Sequence, residues 1–263
     1  MAGVDFHNHL MPGVDDGAQT IEETVEGLEA FRTDGVGVVV ATPHVDASLT
    51  LRPDEFSDRM AELDRAYVDL QRCARDLGSI RVDRGVELLL DVPEPNLEDP
   101  RIRLGGGKYF LTEFPFFMVP PQSVRVVRAI ADAGYTPIIA HPERYNGFGN
   151  DIDIAAQWKQ AGALLQVNGG SLLGRYGAEP RAIAFDLLER GWIDFLCSDY
   201  HTRGPTLVAD YRDLLESMDA AEQAHTLMET NPTRMLEGLA PLPVASIRNK
   251  RTIWTRMTGI FKP

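Results

Sequence analysis

Two imidazoles, His7 and His9, stand two residues apart in Val4-Asp5-Phe6-His7-Asn8-His9-Leu10. A strand alternates its side chains between faces, so Asp5, His7 and His9 share one face while Val4, Phe6 and Leu10 lean into a core. Imidazoles at that spacing can chelate one metal ion. The following Met11-Pro12-Gly13-Val14-Asp15-Asp16-Gly17 has the residues of sharp turns, which can bring a carboxylate back over the strand end just left. Asp16 is the candidate oxygen ligand, and Asp15 reads as a turn residue. Taken alone, the pair reads equally well as solvated histidines on a surface strand. Asp5 could orient one of the histidines or make a strand-end hydrogen bond.

The rest of the chain changes that balance, because polar or ionisable groups close one apolar run after another. His44 follows the run 36–41, Glu87 lies in the second half of a strand over 80–90, and Glu113 ends 109–113. His141 follows 136–140, Asn168 ends 163–168, and Asp199 and His201 follow 193–197. Between these strands run helical patterns. Thr20 and Glu23 form a capping box before Ile21, Val25, Leu28 and Phe31. A long helix follows Pro53, others open at Pro121 and Pro180, one carries Ile154, Trp158 and Ala161, and three more occupy 207–236. Alternating strands and helices predict an α/β fold, a distorted (β/α) barrel of about seven parallel strands, with the polar strand ends on one face. Five of the six histidines sit at such ends; His225, in a late helix, is a surface or packing residue. Residues 91–107, rich in Pro and Gly, form a loop long enough for a lid or a plain connection.

With 263 residues, 44% of them hydrophobic, the chain can bury one large core, so 1–246 reads as a single domain. The net charge of −13 argues against a nucleic-acid partner, since phosphate-backbone affinity comes from Lys and Arg. No apolar run reaches membrane-spanning length and no signal segment opens the sequence. Cys73 and Cys197 show no paired spacing. A reducing cytoplasm fits.

Taken together and in order, His7-x-His9, the Pro-Gly-x-Asp-Asp-Gly turn, Ala-Thr-Pro-His44, Gly-x-Glu87, Glu113-Phe-Pro, Ala-His141-Pro-Glu-Arg-Tyr, Gln-Val-Asn168 and Ser-Asp199-x-His201 resemble the polymerase-and-histidinol-phosphatase (PHP) superfamily. Within it the chain is similar to the bacterial capsule-biosynthesis protein tyrosine phosphatases over roughly residues 3–237. That resemblance implies three divalent metal ions, most often manganese, and dephosphorylation of a bacterial tyrosine kinase in capsule or exopolysaccharide regulation. It assigns His7, His9, Glu87 and Asp199 to one ion, with Glu87 shared. Glu113 and His141 complete a second site, and Asp16, His44 and His201 hold the third. It also implies that Arg144 holds the phosphate, with Asp199 and His201 among the catalytic groups. The chain departs from the family pattern at Val45, where many relatives have a second histidine. Relatives also place a second substrate arginine several residues beyond the final histidine, whereas the arginine available here, Arg203, is only two beyond His201. Asn168 and Ser171, at a strand end, could meet substrate or serve in packing and turns; Glu143 could simply pair with Arg144.

Chemically, four ligand carboxylates against three divalent ions leave a centre about two charges positive, able to receive a phosphate dianion within an acidic protein. A metal-bridging hydroxide would attack phosphorus while the ions and Arg144 neutralise the phosphate oxygens. The nitrogen and oxygen donors suit manganese, iron or zinc. A phenolate leaving group, of pKa ~10, needs little acid assistance.

Other readings compete. A small phosphate monoester such as histidinol phosphate is the alternative substrate, and a non-catalytic binding barrel would show eroded ligands, which this chain does not. Cys197 and Arg203 match the Cys-x5-Arg spacing of cysteine-dependent phosphatases, but Asp199 inside that loop would repel both thiolate and phosphate. Residues 247–263 carry five basic residues and no acid, against −18 for the rest, interspersed with Trp254, Met257, Ile260 and Phe261. Such an amphipathic tail suits an anionic membrane surface, or packs against the acidic body.

Overall fold

The computed structural model describes residues 3–78, 80–115 and 118–247. Among them, nine short strands pair in parallel throughout. One sheet contains β1 (Gly3–Asp5), β2 (Val36–Ala41) and β4 (Arg81–Arg84), in that order. The other runs β3 (His44–Asp46), β5 (Glu87–Leu89), β6 (Tyr109–Glu113), β7 (Thr136–Ala140), β8 (Leu164–Asn168) and β9 (Phe195–Cys197). The helices are α1 (Ile21–Thr33), α2 (Pro53–Leu77), α3 (Ser123–Asp132), α4 (Ile154–Ala161), α5 (Gly169–Leu173), α6 (Ala178–Arg190), α7 (Val208–Ser217), α8 (Ala221–His225) and α9 (Asn231–Leu236). An α/β fold of parallel strands is therefore present as the sequence predicts.

The seven predicted strands appear as nine segments, because two of them break. Pro43 has no N–H to give a ladder, so β2 stops at Ala41 and β3 begins afresh at His44. The strand predicted over 80–90 divides at Gly85-Val86, where a Cβ on Gly85 would lie 2.9 Å from Leu104 Cδ2. Backbone hydrogen bonds bridge these breaks: Thr42 N–H to Asn8 O (2.9 Å), Gly85 N–H to Ala41 O (3.0 Å) and Glu87 N–H to Pro43 O (3.1 Å). At the other seam Asp199 N–H donates to His7 O (2.8 Å) and His9 N–H to Tyr200 O (2.9 Å). The two sheets are thus joined on one side by bonds between the ends of β1 and β9, and on the other by the chain itself running from β2 into β3 and from β4 into β5.

Strand residues alternate between two apolar clusters. Val39, Ala41, Phe110, Ile139, Leu165, Val167 and Leu196 pack outward among helix residues such as Leu28, Met60, Leu70, Val127 and Trp158. Phe6, Val40, Tyr109, Leu111, Ile138, Ala140, Phe195 and Cys197 pack inward on one another, joined by Leu104 and Met235. The opening strand departs from the predicted parity, since Phe6 belongs to the inner cluster and Leu10 to the outer. A register irregularity between Gly3 and Val4 shows that β1 is not a regular ladder.

Local signals behave as their chemistry requires. Thr20 caps α1 by accepting from Glu23 N–H (3.2 Å), while Glu23 reaches back to Gln19 N–H rather than to Thr20. Segment 91–107 is pinned to the body: Ser48 N–H donates to Asp91 (2.8 Å), Asn96 N–H donates to Thr50 Oγ1 (2.9 Å), and Leu97, Ile102 and Leu104 are buried. Ile247 is buried and donates its N–H to Leu188 O (3.0 Å), so packing continues one residue past the predicted boundary at 246. Of the proposed membrane-facing tail, 247–263, all but Ile247 lies outside the described residues.

Asp5 fastens the seam between β1 and the end of β9. It is buried, accepting from Ser198 N–H (2.7 Å), Asn8 Nδ2 (3.0 Å) and His7 N–H (3.3 Å). Replacing it takes the carboxylate from the buried Ser198 and His7 N–H groups, while Asn8 Nδ2 keeps Val40 O (3.2 Å). Asp5→Ala is expected to lower the unfolding free energy by about 3 kcal/mol, measured by urea denaturation. A loss under about 1 kcal/mol would show that the seam does not depend on this carboxylate.

Candidate metal centre

Inward-facing positions are apolar deep in the strands and turn polar at their C-terminal ends. The parity that buries Tyr109 and Leu111 brings Glu113 to the same face, and the parity of Phe195 and Cys197 brings Asp199. Glu87 in β5 and His44 in β3 are opposite each other in the ladder. His141 and Asp199 both have positive φ, 33° and 53°, so two strands turn sharply at these side chains. Such backbone is costly for a residue with a Cβ and collects at functional sites.

All nine residues proposed as ligands come together. Donor atoms of His9, Asp16, His44 and His201 lie within 4.8 Å of one another, as do those of His7, His9 and Glu87, of His44, Glu87 and Glu113, and of His7, His141 and Asp199. The first group contains the predicted Asp16–His44–His201 set, joined by His9. In the second predicted site, His44 shares the 4.8 Å group with Glu87 and Glu113, while His141 groups with His7 and Asp199. His141 Nε2 nevertheless lies 2.9 Å from Glu87 Oε1 and 3.8 Å from Glu113 Oε2. His225 stands apart, beside Glu229 on the surface.

Tautomers follow from the partners. His9 Nδ1 is 2.7 Å from Asp15 Oδ2, and a carboxylate only accepts, so Nδ1 carries the proton and Nε2 the lone pair. His7 Nδ1 is 2.8 Å from Gln166 Oε1, and His201 Nδ1 is 3.0 Å from the Asp199 carbonyl oxygen, with the same consequence. The lone pairs of His7 and His9 then face Glu87 Oε2 at 3.2 and 3.5 Å and Asp199 Oδ1 at 3.3 and 3.7 Å. His7 Nε2, His9 Nε2 and Glu87 Oε2 are buried without a hydrogen-bond partner. Acceptors that face acceptors at such distances need a cation or protons between them. Nitrogen and oxygen donors without thiolate suit a hard or borderline divalent ion.

Protonation responds in the same sense. Burial pulls His7 down, but the charges of Glu87 and Asp199 outweigh it and hold His7 up to about 9. Burial and the like charges of Glu87 and Asp199 push Glu113 up to about 8. Burial raises Asp15, but its bond to His9 prevails and brings it down to about 2.

Several residues take roles that the sequence reading did not give them. Asp15, read as a turn residue, is the carboxylate that orients His9. The turn that delivers it requires Gly17, where a Cβ would lie 2.1 Å from His9 O. Of the two roles open to Asp5 in the sequence, the structure shows the strand-end hydrogen bonds, to the N–H groups of His7 and Ser198, and not the orienting of an imidazole. Glu143, buried, accepts from Asn168 N–H (3.0 Å) and Ser171 Oγ (2.7 Å), and burial pushes it up to about 7. Asn168, proposed at the substrate, is fully buried, its Nδ2 donating to Asp199 Oδ2 (2.8 Å). Gln166, quoted above only within Gln-Val-Asn168, gains a role as the acceptor for His7 Nδ1, and the alternation in Leu164-Leu165-Gln166-Val167-Asn168 carries the signal for it.

Arg144 lies at the mouth of the site. Its Nη1 donates to Asp199 Oδ2 at 2.5 Å and its guanidinium lies 4.4 Å from the Tyr176 ring centre. Arg203, two-thirds exposed, donates to Asp16 O (3.0 Å) and Oδ2 (3.3 Å). Cys197 is a different case: it sits in the inner apolar cluster, and burial, with Asp5 and Asp199 adding to it, drives its thiol well above the usual range. That environment opposes a thiolate nucleophile.

A family model described as capsular polysaccharide synthesis, CpsB/CapC, matches residues 3–237. The chain belongs to the CpsB/CapC family. Tyrosine-protein phosphatase YwqE of Bacillus subtilis (strain 168) is 29% identical over 201 residues, covering 75% of this chain and 77% of YwqE. Tyrosine-protein phosphatase CpsB of Streptococcus agalactiae serotype V is 25% identical over 251 residues, covering 89% of this chain and 98% of that one. A solved chain from a study of YwqE from Bacillus subtilis and CpsB from Streptococcus pneumoniae, described as unique metal-dependent tyrosine phosphatases, superimposes with a TM-score of 0.74. It is 27% identical and covers 94% of this chain and 100% of that one.

In this CpsB/CapC-family chain Asp15 reaches the site through His9 Nδ1 (2.7 Å) and through the His44 N–H that it also accepts (3.3 Å), and losing such a partner typically weakens ion binding without unfolding the protein. Asp15→Ala is expected to reduce manganese affinity roughly tenfold to a hundredfold in calorimetric titrations of chelator-stripped protein. An unchanged affinity would mean that His9 keeps its orientation without Asp15.

Proposed function

We propose that this protein is a metal-dependent phosphotyrosine-protein phosphatase that acts on a bacterial tyrosine kinase in capsule or exopolysaccharide regulation. The observation that carries the reading is the facing of buried acceptor atoms of His7, His9, Glu87 and Asp199, in a family whose compared relatives are tyrosine phosphatases. We read the two sheets as one distorted barrel of seven staves, the breaks in two staves being bridged by the backbone bonds described above. Three divalent ions, manganese by preference, would be held by His7, His9, Asp16, His44, Glu87, Glu113, His141, Asp199 and His201. When bound, such ions neutralise phosphate oxygens and make water acidic enough to supply a nucleophile at neutral pH.

The chain's own residues do the rest. Arg144 offers a planar guanidinium at the mouth, braced on Asp199 and Tyr176, and charge-assisted hydrogen bonds from it orient a phosphate and stabilise charge as the phosphorus–oxygen bond breaks. Arg203 stands on the rim, where it can meet the same dianion after leaving Asp16. Asp199 and His201 act as ligands that border the substrate, and Asn168 holds Asp199 from behind. A tyrosine phenolate leaves without a strong acid, so the absence of an assigned proton donor does not prevent turnover. No described helix is long and apolar enough to cross a membrane. We place the enzyme in the cytoplasm, where a kinase's phosphorylated segment is accessible.

Chelator-stripped protein is expected to release no phosphate from a phosphotyrosyl peptide and to recover on adding manganese, with histidinol phosphate turned over far more slowly. Arg144→Ala should cost about a hundredfold in kcat/KM, and Cys197→Ser should stay near wild type. Full activity in the stripped protein would refute the metal reading. Preference for histidinol phosphate would change the substrate, and loss of turnover in Cys197→Ser at normal metal content would restore a thiol mechanism.

A further inference from the structure

β8 turns Leu165 and Val167 outward and Gln166 and Asn168 inward beneath the ligands. Both amides are fully buried. Asn168 Nδ2 donates to Asp199 Oδ2 (2.8 Å), Gln166 Nε2 donates to Asn168 Oδ1 (2.9 Å), and Gln166 Oε1 lies 2.8 Å from His7 Nδ1. The direction of this chain of bonds is fixed from one end. A carboxylate only accepts, so Asn168 presents its NH2 to Asp199 and its carbonyl to Gln166. Gln166 must then present its NH2 to Asn168 and its carbonyl to His7, which donates from Nδ1. The lone pair is left on Nε2, the atom that faces Glu87 and Asp199.

Arg144 donates to the same oxygen, Asp199 Oδ2, that receives Asn168. Asp199 Oδ1 faces His7, His9 and His201. We propose that Gln166 and Asn168 are positioning residues that join His7 and the Asp199–Arg144 pair into one unit, so that ion binding and phosphate binding are coupled through β8. The proposal rests on the metallophosphatase reading and adds the coupling to it. Two amides on an inward face otherwise lined by Phe195, Cys197 and Leu111 cost desolvation unless every polar atom finds a partner. Here each amide both donates and accepts, which is the condition under which a buried polar network specifies one arrangement.

The test is calorimetry on wild type, Gln166→Met, Asn168→Leu and the double variant. Manganese is titrated into stripped protein and inorganic phosphate into manganese-loaded protein, with urea unfolding as the measure of folding. Each single variant should lose roughly tenfold or more in manganese affinity, and the double should lose no more than the worse single. Gln166→Met should also weaken phosphate binding about fivefold, although Gln166 reaches Arg144 only through Asn168 and Asp199. Gln166→Glu keeps an acceptor for His7 and adds a charge that favours a cation, but has no N–H for Asn168; the coupling predicts weaker manganese binding. Additive losses, unchanged phosphate affinity in Gln166→Met, or manganese affinity at or above wild type in Gln166→Glu would overturn the proposal. Non-additive manganese losses in a protein that releases no phosphate from the peptide would keep the β8 unit and discard the phosphatase.

Discussion

Buried acceptors facing one another are the constraint on which the structure depends. Glu87 and Asp199 lie among the Nε2 atoms of His7 and His9 at 3.2 to 3.7 Å, and the polar ends of neighbouring strands bring Glu113, His141 and His44 to the same place. Like-signed lone pairs at such separations repel strongly in a low-dielectric interior. A fold accepts that arrangement only if a cation or protons compensate it and the surrounding structure prevents the side chains from turning away. The second condition is visible throughout: Asp15 holds His9, Gln166 holds His7, the Asp199 carbonyl holds His201, and Asp5 fixes the seam from which both His7 and Asp199 extend.

The two faces of the strands divide this task. Outward residues interlock with helices and supply most of the apolar burial. Inward residues form a smaller plug of Phe6, Val40, Tyr109, Leu111, Ile138, Ala140, Phe195 and Cys197, and the ligands stand above it. The plug excludes water from beneath the site, so charge there is screened less than at a surface. Its composition also explains Cys197: on the inner face of β9, two residues before Asp199, it is packing material whose thiol is far from ionising. The Cys-x5-Arg spacing is a coincidence of a strand residue and a rim arginine.

Much of this was legible in the sequence because apolar runs end in metal-competent residues, a pattern that survives uncertainty about element boundaries. His44, Glu113, His141 and Asp199 were found that way, and the structure brings them together. What escaped depended on geometry over a few residues. Pro43 and Gly85 divide strands because of a missing N–H and a close approach by Leu104, neither of which interrupts a hydrophobic pattern. Asp15 and Asp16 are adjacent carboxylates of the same type, and only the fold of the turn through Gly17 sends one to His9 Nδ1 and the other toward His44 and His201. Gln166 looked like an ordinary strand residue, since a neutral amide announces itself only when its strand parity is followed to the ligands.

An acidic protein that receives an anion must keep its carboxylates from repelling it. The net charge is −13, yet each carboxylate proposed as a ligand faces a partner: Glu87, Glu113 and Asp199 face imidazoles, and the half-exposed Asp16 faces His44, His201 and Arg203. Asp199 is the pivot, because its two oxygens face different partners. Oδ1 meets the histidines and Oδ2 meets Arg144 and Asn168. If the proposed ions are bound, Asp199 would share its charge with them through Oδ1 and hold Arg144 less strongly through Oδ2, leaving that guanidinium more available to a phosphate dianion. On the proposed function, ion occupancy and phosphate recognition are therefore linked at one side chain, and the arginine becomes a strong phosphate site only once the ions that perform the chemistry are in place.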